Sequence, residues 1–504
     1  MISAYTGTQI RAAEQRFLDD GLGAALMQRA AYGLANAVVR ELQARGRRLN
    51  GGSVTVLAGK GNNGGDGLFA AAMLARRGMR TTAVLTAGDA HPEGLAAFTA
   101  AGGRVVGLTA ENAAATAADA ARSGVVLDAV LGTGAQGGLR GPAAALIEAL
   151  AQSRSGLVVA CDVPSGVDAD TGAAHAPVLR AELTVTFGAA KAGLLADPGA
   201  DFAGRVHVVP IGIETALPAP AVRRLEAGDL AALLPHPERR AHKYSRGVLG
   251  VVAGSRRYPG AAVLACRGAL ASGVGMVRYF GPPEVAELVR QSCPEVVCSS
   301  GSVADAHVQA WLLGPGLDDQ AGDQLERVRE AAATGLPVVA DAGALPALPV
   351  DLAPHFVLTP HAGELAALLA RYGAEPGRTE VEDATLPAAR RASALTGATV
   401  LLKGAATLVA APSGSVFSQA EATPWLATAG SGDVLAGVLG SLLAQLAESS
   451  GAFAARGIPA AEQWAGIAAL AASVHGRAGS RASCGGPVTA SDVAAAVGEA
   501  MKTL

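Results

Sequence analysis

A glycine-rich stretch at residues 58–71, AGKGNNGGDGLFAA, carries side chains that could do chemistry. Residues 59–64 match G-x-G-x-x-G, the turn that binds the pyrophosphate of a dinucleotide, and Asp89 could supply the acid expected at its ribose. That pattern alone is weak, because Asp66 lies where the next helix is expected to begin and its charge would repel a pyrophosphate. Asp66 could alternatively be the N-cap of this helix. The motif indicates a ligand loop but leaves the ligand open.

Two further loops are expected beside this one, because each follows a strand and the carboxyl ends of parallel strands meet at one edge of a sheet. The three loops are residues 59–67, 128–134 and 162–166. Asn62 and Asn63 come from the first loop, while Asp128 and Ser165 come from the second and third. Together they offer the hard oxygen ligands that a cation such as K⁺ prefers.

Asp162 directly follows the apolar run LVVAC and begins the loop DVPSG. At the end of a buried strand it could transfer protons, since desolvation would move its pKa toward neutrality. An aspartate in an Asp-x-Pro-Ser-Gly turn can equally serve only to hydrogen-bond the loop. Both interpretations stay open from the residues alone.

A second candidate site lies at residues 430–433, GSGD, before an apolar helix predicted over residues 434–446. Backbone N–H groups at such a helix start can hold a phosphate oxyanion. Asp433 could accept a proton from an attacking hydroxyl, although Ser and Asp also cap helices routinely. Lys403 could bind a phosphate or a ribose. His361, taken by itself, is more often a surface or cap histidine than a catalytic one.

The elements that would position these residues form two α/β series. Short apolar runs alternate with helix-like segments between residues 52 and 210, which predicts a parallel sheet with helices on both faces. The predicted strands there are SVTVLAG, TTAVLTAG, GVVLDAV, GLVVACD, LTVTFG and RVHVVPIG. Those of the second series are GVLGVVAGS, AWLLGPG, LPVVADAG, HFVLTPH and ATVLLKGAATLVAAPSG.

The bulk properties are those of a globular protein with two domains. A chain of 504 residues is too long to fold around one compact core, so two domains are expected. A proline-rich segment places the boundary between them near residues 215–222. A net charge of −3 gives no electrostatic case for nucleic acid or an anionic membrane. Five scattered cysteines, no signal peptide and no membrane-length apolar run predict a cytoplasmic protein.

The first half resembles the NAD(P)HX epimerase domain, because GKGNNGGDG, LDAVLGTGAQGGLRGP and CDVPSGVDADTG occur in that order. The resemblance covers residues 1–218 and implies a Rossmann-like three-layer sandwich. It implies that Asp162 is catalytic and that Asn63, Asp128 and Ser165 hold K⁺. The substrate-binding residues that it implies are Asn62, Asn63, Gly64, Gly65, Asp66, Gly132, Thr133, Gly134, Ala135, Gln136, Gly137, Gly138 and Asp162.

The second half, residues 222–504, resembles the ribokinase-like ADP-dependent NAD(P)HX dehydratases. The motifs are GVLGVVAGSRRYPGAAVLACRGALASGVGMV, GPGL, VLTPHAGE, LLKGAAT and GSGDVLAG, in order. The resemblance implies a second three-layer sandwich, with Asp433 as the catalytic residue. It implies that the substrate contacts Ala261, Gly316, His361 and Asp433, and that ADP contacts Lys403, Gly404, Ala405, Ala406, Thr407 and Gly432.

The two resemblances together imply a bifunctional repair enzyme. The first domain would interconvert R- and S-NAD(P)HX, and the second would use ADP and Mg²⁺ to convert S-NAD(P)HX into NAD(P)H, AMP and phosphate. The expected partners are therefore small molecules, NADHX, NADPHX and ADP, and a homo-oligomer stays open. Two alternatives are a ribokinase-like small-molecule kinase fused to a nucleotide-binding domain, and a first domain that serves only as a scaffold.

Overall fold

The structure, a computed structural model, describes residues 1–135, 137–153, 156–299, 302–318 and 321–504. The chain divides into two compact units. The N-terminal unit is Ser3–Val222, and the C-terminal unit is Arg223–Leu504 with Met1–Ile2. In the described part of the chain, no helix combines the length and the apolar character that crossing a bilayer requires.

The N-terminal unit alternates strands and helices along the chain. Its strands are β1 (Ile2–Tyr5), β2 (Ser53–Ala58), β3 (Arg80–Leu85), β4 (Arg104–Gly107), β5 (Val125–Ala129), β6 (Leu157–Cys161), β7 (Leu183–Phe187), β8 (Ala190–Lys191) and β9 (Arg205–Val209). Its helices are α1 (Gly7–Asp19), α2 (Gly23–Ala44), α3 (Asn62–Arg76), α4 (Pro92–Ala100), α5 (Ala113–Ala121), α6 (Gly141–Ala151) and α7 (Gly199–Ala203), with 3-10 turns at Ala192–Leu195 and Glu214–Ala216. The strand β10 (Val222–Arg224) follows.

Seven of these strands form a parallel sheet in the order β4-β3-β2-β5-β6-β7-β9. Successive side chains of a strand point to opposite faces, and this sheet is buried on both. Val56 belongs to the core that includes residues of α2 and α3, whereas its neighbour Leu57 belongs to the core that includes residues of α5 and α6. The unit is thus a three-layer sandwich, and all six strands predicted for it are present.

The C-terminal unit also alternates strands and helices, and its strands form a different sheet. Its strands are β11 (Val248–Val252), β12 (Met276–Phe280), β13 (Val297–Ser299), β14 (Ala310–Leu313), β15 (Val338–Ala340), β16 (Phe356–Leu358), β17 (Thr399–Leu402), β18 (Thr407–Ala410) and β19 (Val416–Gln419). Its helices are α8 (Ala227–Leu233), α9 (Pro259–Ala271), α10 (Pro283–Ser292), α11 (Gly322–Ala332), α12 (Ala362–Ala370), α13 (Arg378–Asp383), α14 (Thr385–Thr396), α15 (Ser431–Leu446), α16 (Ser450–Ala454), α17 (Gln463–Ser483) and α18 (Ala490–Lys502). Three 3-10 turns complete it: Ala342–Ala347, Pro424–Leu426 and Ala460–Glu462.

These nine strands run in the order β13-β12-β11-β14-β15-β16-β17-β18-β19. All neighbours through β17 are parallel, and the last two pairs are antiparallel. The buried helix α15 packs between α9 and α17 on one face of this sheet, while α11 contacts β11 and β14 and α14 contacts β17. The predicted fold class, two mainly parallel α/β units, is confirmed. The helix predicted from residue 434 begins three residues earlier, at Ser431.

Candidate active sites

The carboxyl ends of β2, β5 and β6 open on a cavity of about 890 Å³ in the N-terminal unit. This volume suits a cofactor-sized ligand. The predicted site residues that line it are Asn62, Asn63, Asp66, Gly132, Thr133, Gly134, Ala135, Gly138 and Asp162. Of the others, Gly64 and Gly65 are buried in the first turn of α3, and Asp128 and Ser165 are buried. Gly137 lies in the same loop as Gly138, and Gln136 lies outside the described residues.

Two glycines of the first loop allow the backbone to pack closely. A Cβ on Gly59 would lie 2.0 Å from the Val130 carbonyl oxygen, and one on Gly64 would lie 1.9 Å from the Gly59 carbonyl oxygen. No side chain fits at these distances, so glycine is required for the turn to pack against the loop after β5. The pattern that suggested a pyrophosphate turn has this packing role here.

Asp66 lies in the cavity wall and not at the start of its helix. The helix α3 begins at Asn62 with Gly61 as its N-cap, so the interpretation of Asp66 as an N-cap is wrong. The Asp66 carboxyl is buried, and its Oδ1 has no hydrogen-bond partner among the described residues. Burial raises its pKa well above the ordinary range, and the negative charges of Asp162 and Glu14 raise it further. Burial therefore favours the neutral form of the Asp66 carboxyl over its carboxylate.

Asp162 has the opposite electrostatic character, because a buried lysine neutralises it. Lys191 is 1% exposed, and its ammonium donates to Asp162 Oδ1, to Thr186 Oγ1 at 2.9 Å and to the Phe187 carbonyl at 2.9 Å. The Thr133 hydroxyl and its N–H both donate to Asp162 Oδ2. Burial pushes the pKa of Asp162 upward, but the Lys191 charge and these hydrogen bonds outweigh it and lower the pKa.

The expectation that desolvation moves the pKa of Asp162 toward neutrality is therefore wrong. Sequence analysis missed its partner, Lys191. A lysine four residues after the apolar strand LTVTF, among small and apolar residues, was the available signal, since an unpaired ammonium is rarely buried.

Of the residues expected to hold K⁺, Asp128 and Ser165 are hydrogen-bonded to each other, and Asn63 lines the cavity. Asp128 is fully buried and accepts from the Ser165 hydroxyl at 2.5 Å and from the Ser165 N–H at 2.8 Å. The Asn63 amide is buried without a hydrogen-bond partner among the described residues, and a Cβ on Gly132 would lie 2.9 Å from its Cγ. The Ser165 hydroxyl also accepts from the N–H of Leu131, the residue before Gly132, so these side chains belong to adjacent loops. An orphaned amide oxygen beside loops that carry hydroxyl and carboxylate oxygens fits a monovalent cation.

The second site lies at the start of α15 in the C-terminal unit. Gly430 has φ +87°, a left-handed conformation that turns the chain into the helix. Ser431 is buried, and its Oγ lies 3.3 Å from Nε2 of His475 on α17. Burial lowers the pKa of His475 to about 4, so this histidine is neutral and adds no charge to the site.

Asp433, in the first turn of α15, is the most strongly perturbed carboxyl of this site. Burial raises its pKa to about 7, the negative charge of Asp341 adds to the rise, and the Lys403 ammonium opposes it. A carboxyl that titrates near neutrality is suited to accept a proton from a hydroxyl.

Lys403 is bound by acidic side chains near this helix start. Its Nζ donates to Asp341 Oδ1 at 2.9 Å and lies 3.7 Å from Glu364 Oε2. It also lies 3.6 Å from the position of a Cβ on Gly432. Lys403 and Gly432, both expected to bind the nucleotide, are thus together in the structure, whereas Asp341 was missed.

The other predicted residues of this site lie in other elements of the C-terminal unit. His361 is the N-cap of α12, where its Nδ1 accepts from the Gly363 N–H at 3.0 Å, so it has the capping role that the sequence left open. Gly316 has φ +68° and lies against Ala261, because a Cβ there would be 2.5 Å from the Ala261 Cβ. Gly404, Ala405 and Ala406 lie in the turn between β17 and β18, and Thr407 is the first residue of β18.

Comparisons with known proteins match both units. A family model described as YjeF-related protein N-terminus matches residues 23–193, and one described as NAD(P)H-hydrate dehydratase matches residues 249–491. A protein of Mycobacterium tuberculosis (strain CDC 1551 / Oshkosh), named bifunctional NAD(P)H-hydrate repair enzyme Nnr, is 44% identical over 87% of this chain and 89% of its own length. A protein of the same name from Moorella thermoacetica is 34% identical over 91% of this chain and 88% of its own length.

Solved structures are similar to part of the chain. The crystal structure of ADP/ATP-dependent NAD(P)H-hydrate dehydratase from Bacillus subtilis, co-crystallized with ATP/Mg²⁺, covers 56% of this chain and 98% of its own. Its sequence identity is 24% and its TM-score is 0.48.

Proposed function

Because the chain belongs to the family of bifunctional NAD(P)H-hydrate repair enzymes, we propose that its two units perform the two steps of that repair. The N-terminal unit interconverts the R and S epimers of NADHX and NADPHX. The C-terminal unit removes water from the S epimer with ADP as co-substrate. The observation that carries this proposal is that each unit holds its own buried carboxyl beside a lysine: Asp162 pairs with Lys191, and Asp433 lies near the Asp341–Lys403 pair.

The first reaction must exchange the hydroxyl at C6 of the hydrated nicotinamide ring between two faces. Asp66 donates its proton to the C6 hydroxyl, which leaves as water while the lone pair of the ring nitrogen forms a C6=N bond. Asp162, which is ionised, takes a proton from the water that adds to the opposite face, and the cycle closes when Asp162 releases this proton to solvent and Asp66 takes one up. The opposite directions of the pKa shifts of Asp66 and Asp162 support these two roles, because the first favours a proton donor and the second a carboxylate.

K⁺ in the first site would be held by Asn63, Asp128 and Ser165, whose oxygen atoms suit it. When bound, it supplies a fixed positive charge beneath the cavity. Asn63 and Gly132 lie on the cavity wall, so the same loops that hold the ion also position the substrate. The residues at 62–66 and 132–138 bind the dinucleotide in this proposal.

The second reaction converts a poor leaving group, hydroxide, into a good one. Asp433 takes the proton of the C6 hydroxyl, whose oxygen then attacks the terminal phosphorus of ADP and releases AMP. Phosphate leaves C6 as the ring nitrogen donates its lone pair, and loss of the C5 proton restores NAD(P)H. The N–H groups at residues 430–432 and the Lys403 ammonium stabilise the negative charge on the transferring phosphate.

Mg²⁺ in the second site would be bound mainly through the phosphates of the nucleotide, as this ion commonly is. The described residues contain no group of three or more His, Cys, Asp or Glu side chains placed to hold a metal. In this arrangement Lys403, Gly404, Ala405, Ala406, Thr407 and Gly432 contact the nucleotide. Ala261, Gly316, His361 and Asp433 face the hydrated dinucleotide.

The test is a direct assay of NADH recovery. Purified full-length protein is incubated with a mixture of R- and S-NADHX and either ADP or ATP, while the absorbance of the reduced nicotinamide is followed. We expect both epimers to be consumed. Failure to regenerate NADH with either nucleotide would refute the proposal, and a stable phosphorylated product of another substrate would favour the small-molecule kinase.

Two variants separate the sites. Asp433→Ala should abolish nucleotide-dependent dehydration while R and S epimers still interconvert, because Asp433 belongs to the C-terminal unit alone. Asp162→Asn should do the reverse, so that only the S epimer is consumed rapidly. Chromatography of the two epimers measures both outcomes, and loss of both activities in either folded variant would contradict separate sites.

A further inference from the structure

The carboxylate of Asp341 is the buried negative charge of the second site to which the proposed reaction gives no role. Asp341 follows β15 and is 3% exposed. Its Oδ1 accepts from Thr359 Oγ1 at 2.8 Å and from Lys403 Nζ at 2.9 Å. A buried ion pair with a second hydrogen bond on the same oxygen fixes both partners in place.

The fixed ammonium lies beside the start of α15. Lys403 Nζ is 3.6 Å from the Cβ position of Gly432, one residue before Asp433. Glu364 lies farther from the ammonium than Asp341 does, at 3.7 Å. Asp341 is therefore the main anchor of Lys403, and it competes for the ammonium with Asp433.

The groups that face Asp433 from the surrounding elements are few. Asp341 and Lys403 are the charged side chains of the described residues that act on it appreciably. From α17, His475 is neutral. The helices α9 and α18 present apolar side chains to the adjacent Gly430, namely Leu264 and Ala490.

We propose that Asp341 is a positioning residue of the dehydratase site: it holds the Lys403 ammonium against the transferring phosphate and keeps it from pairing with Asp433. This inference rests on the proposed function of the C-terminal unit. Without Asp341, the lysine and Asp433 would form the ion pair, the base would be neutralised, and the phosphate would lose its fixed cation. The arrangement thus separates a cation and a base that would otherwise cancel each other.

The substitution Asp341→Asn tests this because it removes the charge and keeps the shape. We expect the acid-side pH at which kcat/KM for dehydration falls (the low-pH limb) to shift about one pH unit lower. The reason is that Asp433 would then pair with the Lys403 cation and would no longer face the negative charge of Asp341. We also expect kcat at neutral pH to fall and the affinity for ADP, measured by calorimetry, to fall by about tenfold, the effect of one lost charge-assisted hydrogen bond.

Thr359→Val is the matched control, since it removes the other hydrogen bond to Asp341 Oδ1 without changing any charge. We expect its low-pH limb to stay in place. A limb that does not move in Asp341→Asn, or that moves equally in Thr359→Val, overturns the proposal. A purely structural role for Asp341 would lower the rate equally at every pH.

The affinity for ADP gives a second test that does not depend on catalysis. In a Lys403→Met background, Asp341→Asn should change ADP affinity by no more than about twofold, because Asp341 acts on the phosphate through Lys403. If Asp341→Asn lowers ADP affinity by about tenfold in the Lys403→Met background as well, the proposal is overturned. The double variant also leaves neither charge unpaired, so it serves if the single variant does not fold. Wild-type protein that binds ADP without restoring NADH would refute the proposed function. The ADP affinities of the single and double variants would still decide whether Asp341 acts through Lys403.

Discussion

Replacement of Lys191 by methionine is the most informative perturbation of the first site. Lys191 and Asp162 form a buried ion pair, and the ammonium also donates to Thr186 and Phe187. Methionine keeps the length of the side chain and removes the charge. It leaves the buried Asp162 carboxylate without its cation, and breaking a buried pair on one side costs about 3–5 kcal/mol. We expect the N-terminal unit to lose that much stability at neutral pH.

The loss should depend on pH in a defined direction. In the wild type, the folded-state pKa of Asp162 is lowered, so its contribution to stability is present above the unfolded pKa of about 3.9 and is lost as pH falls through the folded pKa. In Lys191→Met, the hydrogen bonds from Thr133 and Thr186 remain but the Lys191 charge is gone, so we expect burial to dominate and to raise the pKa of Asp162 above its unfolded value. The carboxylate then opposes folding increasingly as pH rises, so the difference between variant and wild type should shrink toward about pH 4.

The chain contains an internal control for this measurement. All three tryptophans, Trp311, Trp425 and Trp464, belong to the C-terminal unit. Tryptophan fluorescence therefore reports unfolding of that unit, while hydrogen exchange of peptides from β6 and β7 reports the N-terminal unit. We expect protection of β6 and β7 to fall in the variant while the fluorescence transition stays in place.

A double variant decides whether the charge pair is the cause. Asp162→Asn with Lys191→Met removes both charges and should recover most of the lost stability, because an uncharged pair of similar size is tolerated. It should not recover epimerisation, since Asp162 is the proposed base. If the two substitutions instead add, or if the loss in Lys191→Met is the same at every pH, the electrostatic explanation is refuted.

Three further substitutions test particular contacts. Gly132→Ala places a Cβ 2.9 Å from Asn63 Cγ, so epimerisation should need about tenfold more K⁺ for half-maximal rate, measured by ion titration. Gly314→Ala adds a Cβ 1.9 Å from the Asp341 carbonyl oxygen at φ +112°, and should cost at least about 1–3 kcal/mol by tryptophan fluorescence. Leu442→Ala empties a fully buried position of α15 and should cost about 2–5 kcal/mol without shifting the pH limb of dehydration.

The sequence predicted the strands that carry the sites because they are continuous apolar runs buried on both faces. It missed β4, whose Val105 is 39% exposed at the edge of the sheet, because an edge strand lacks such a run. It also missed β12, in which Arg278 interrupts the apolar pattern, and β19. The start of α3 was misplaced because Gly61 caps it without a side-chain oxygen, which leaves no signal of the usual type.

The candidate sites were predictable as sets of residues and not as electrostatic arrangements. Recognised motifs brought Asn63, Asp128 and Ser165 together, and the structure places them in one region. The direction of the pKa shift of Asp162 could not be predicted, because it is decided by Lys191, which lies 29 residues away in the chain. Desolvation is visible in an apolar run, whereas the partner of a buried charge is visible only when the chain is folded.

The placement of the lysine distinguishes the two sites chemically. Lys191 pairs directly with Asp162 and lowers its pKa, whereas Lys403 pairs with Asp341 and leaves Asp433 with a pKa of about 7. In the proposed reactions, dehydration needs a base that is strong enough to take the proton of an alcohol, while epimerisation needs a carboxylate that is ionised when water adds to the ring.

This difference predicts that the two activities separate with pH. As pH falls from neutral to about 5, Asp433 becomes protonated and NADH recovery should slow by about tenfold for each pH unit below its pKa, while Asp162 stays ionised. Interconversion of R and S should continue over the same range, since the neutral form of Asp66 is retained as well. Chromatography of the epimers beside the absorbance of NADH measures both rates in one sample. Parallel loss of the two activities would show that the lysines do not set the pH ranges of the two carboxyls.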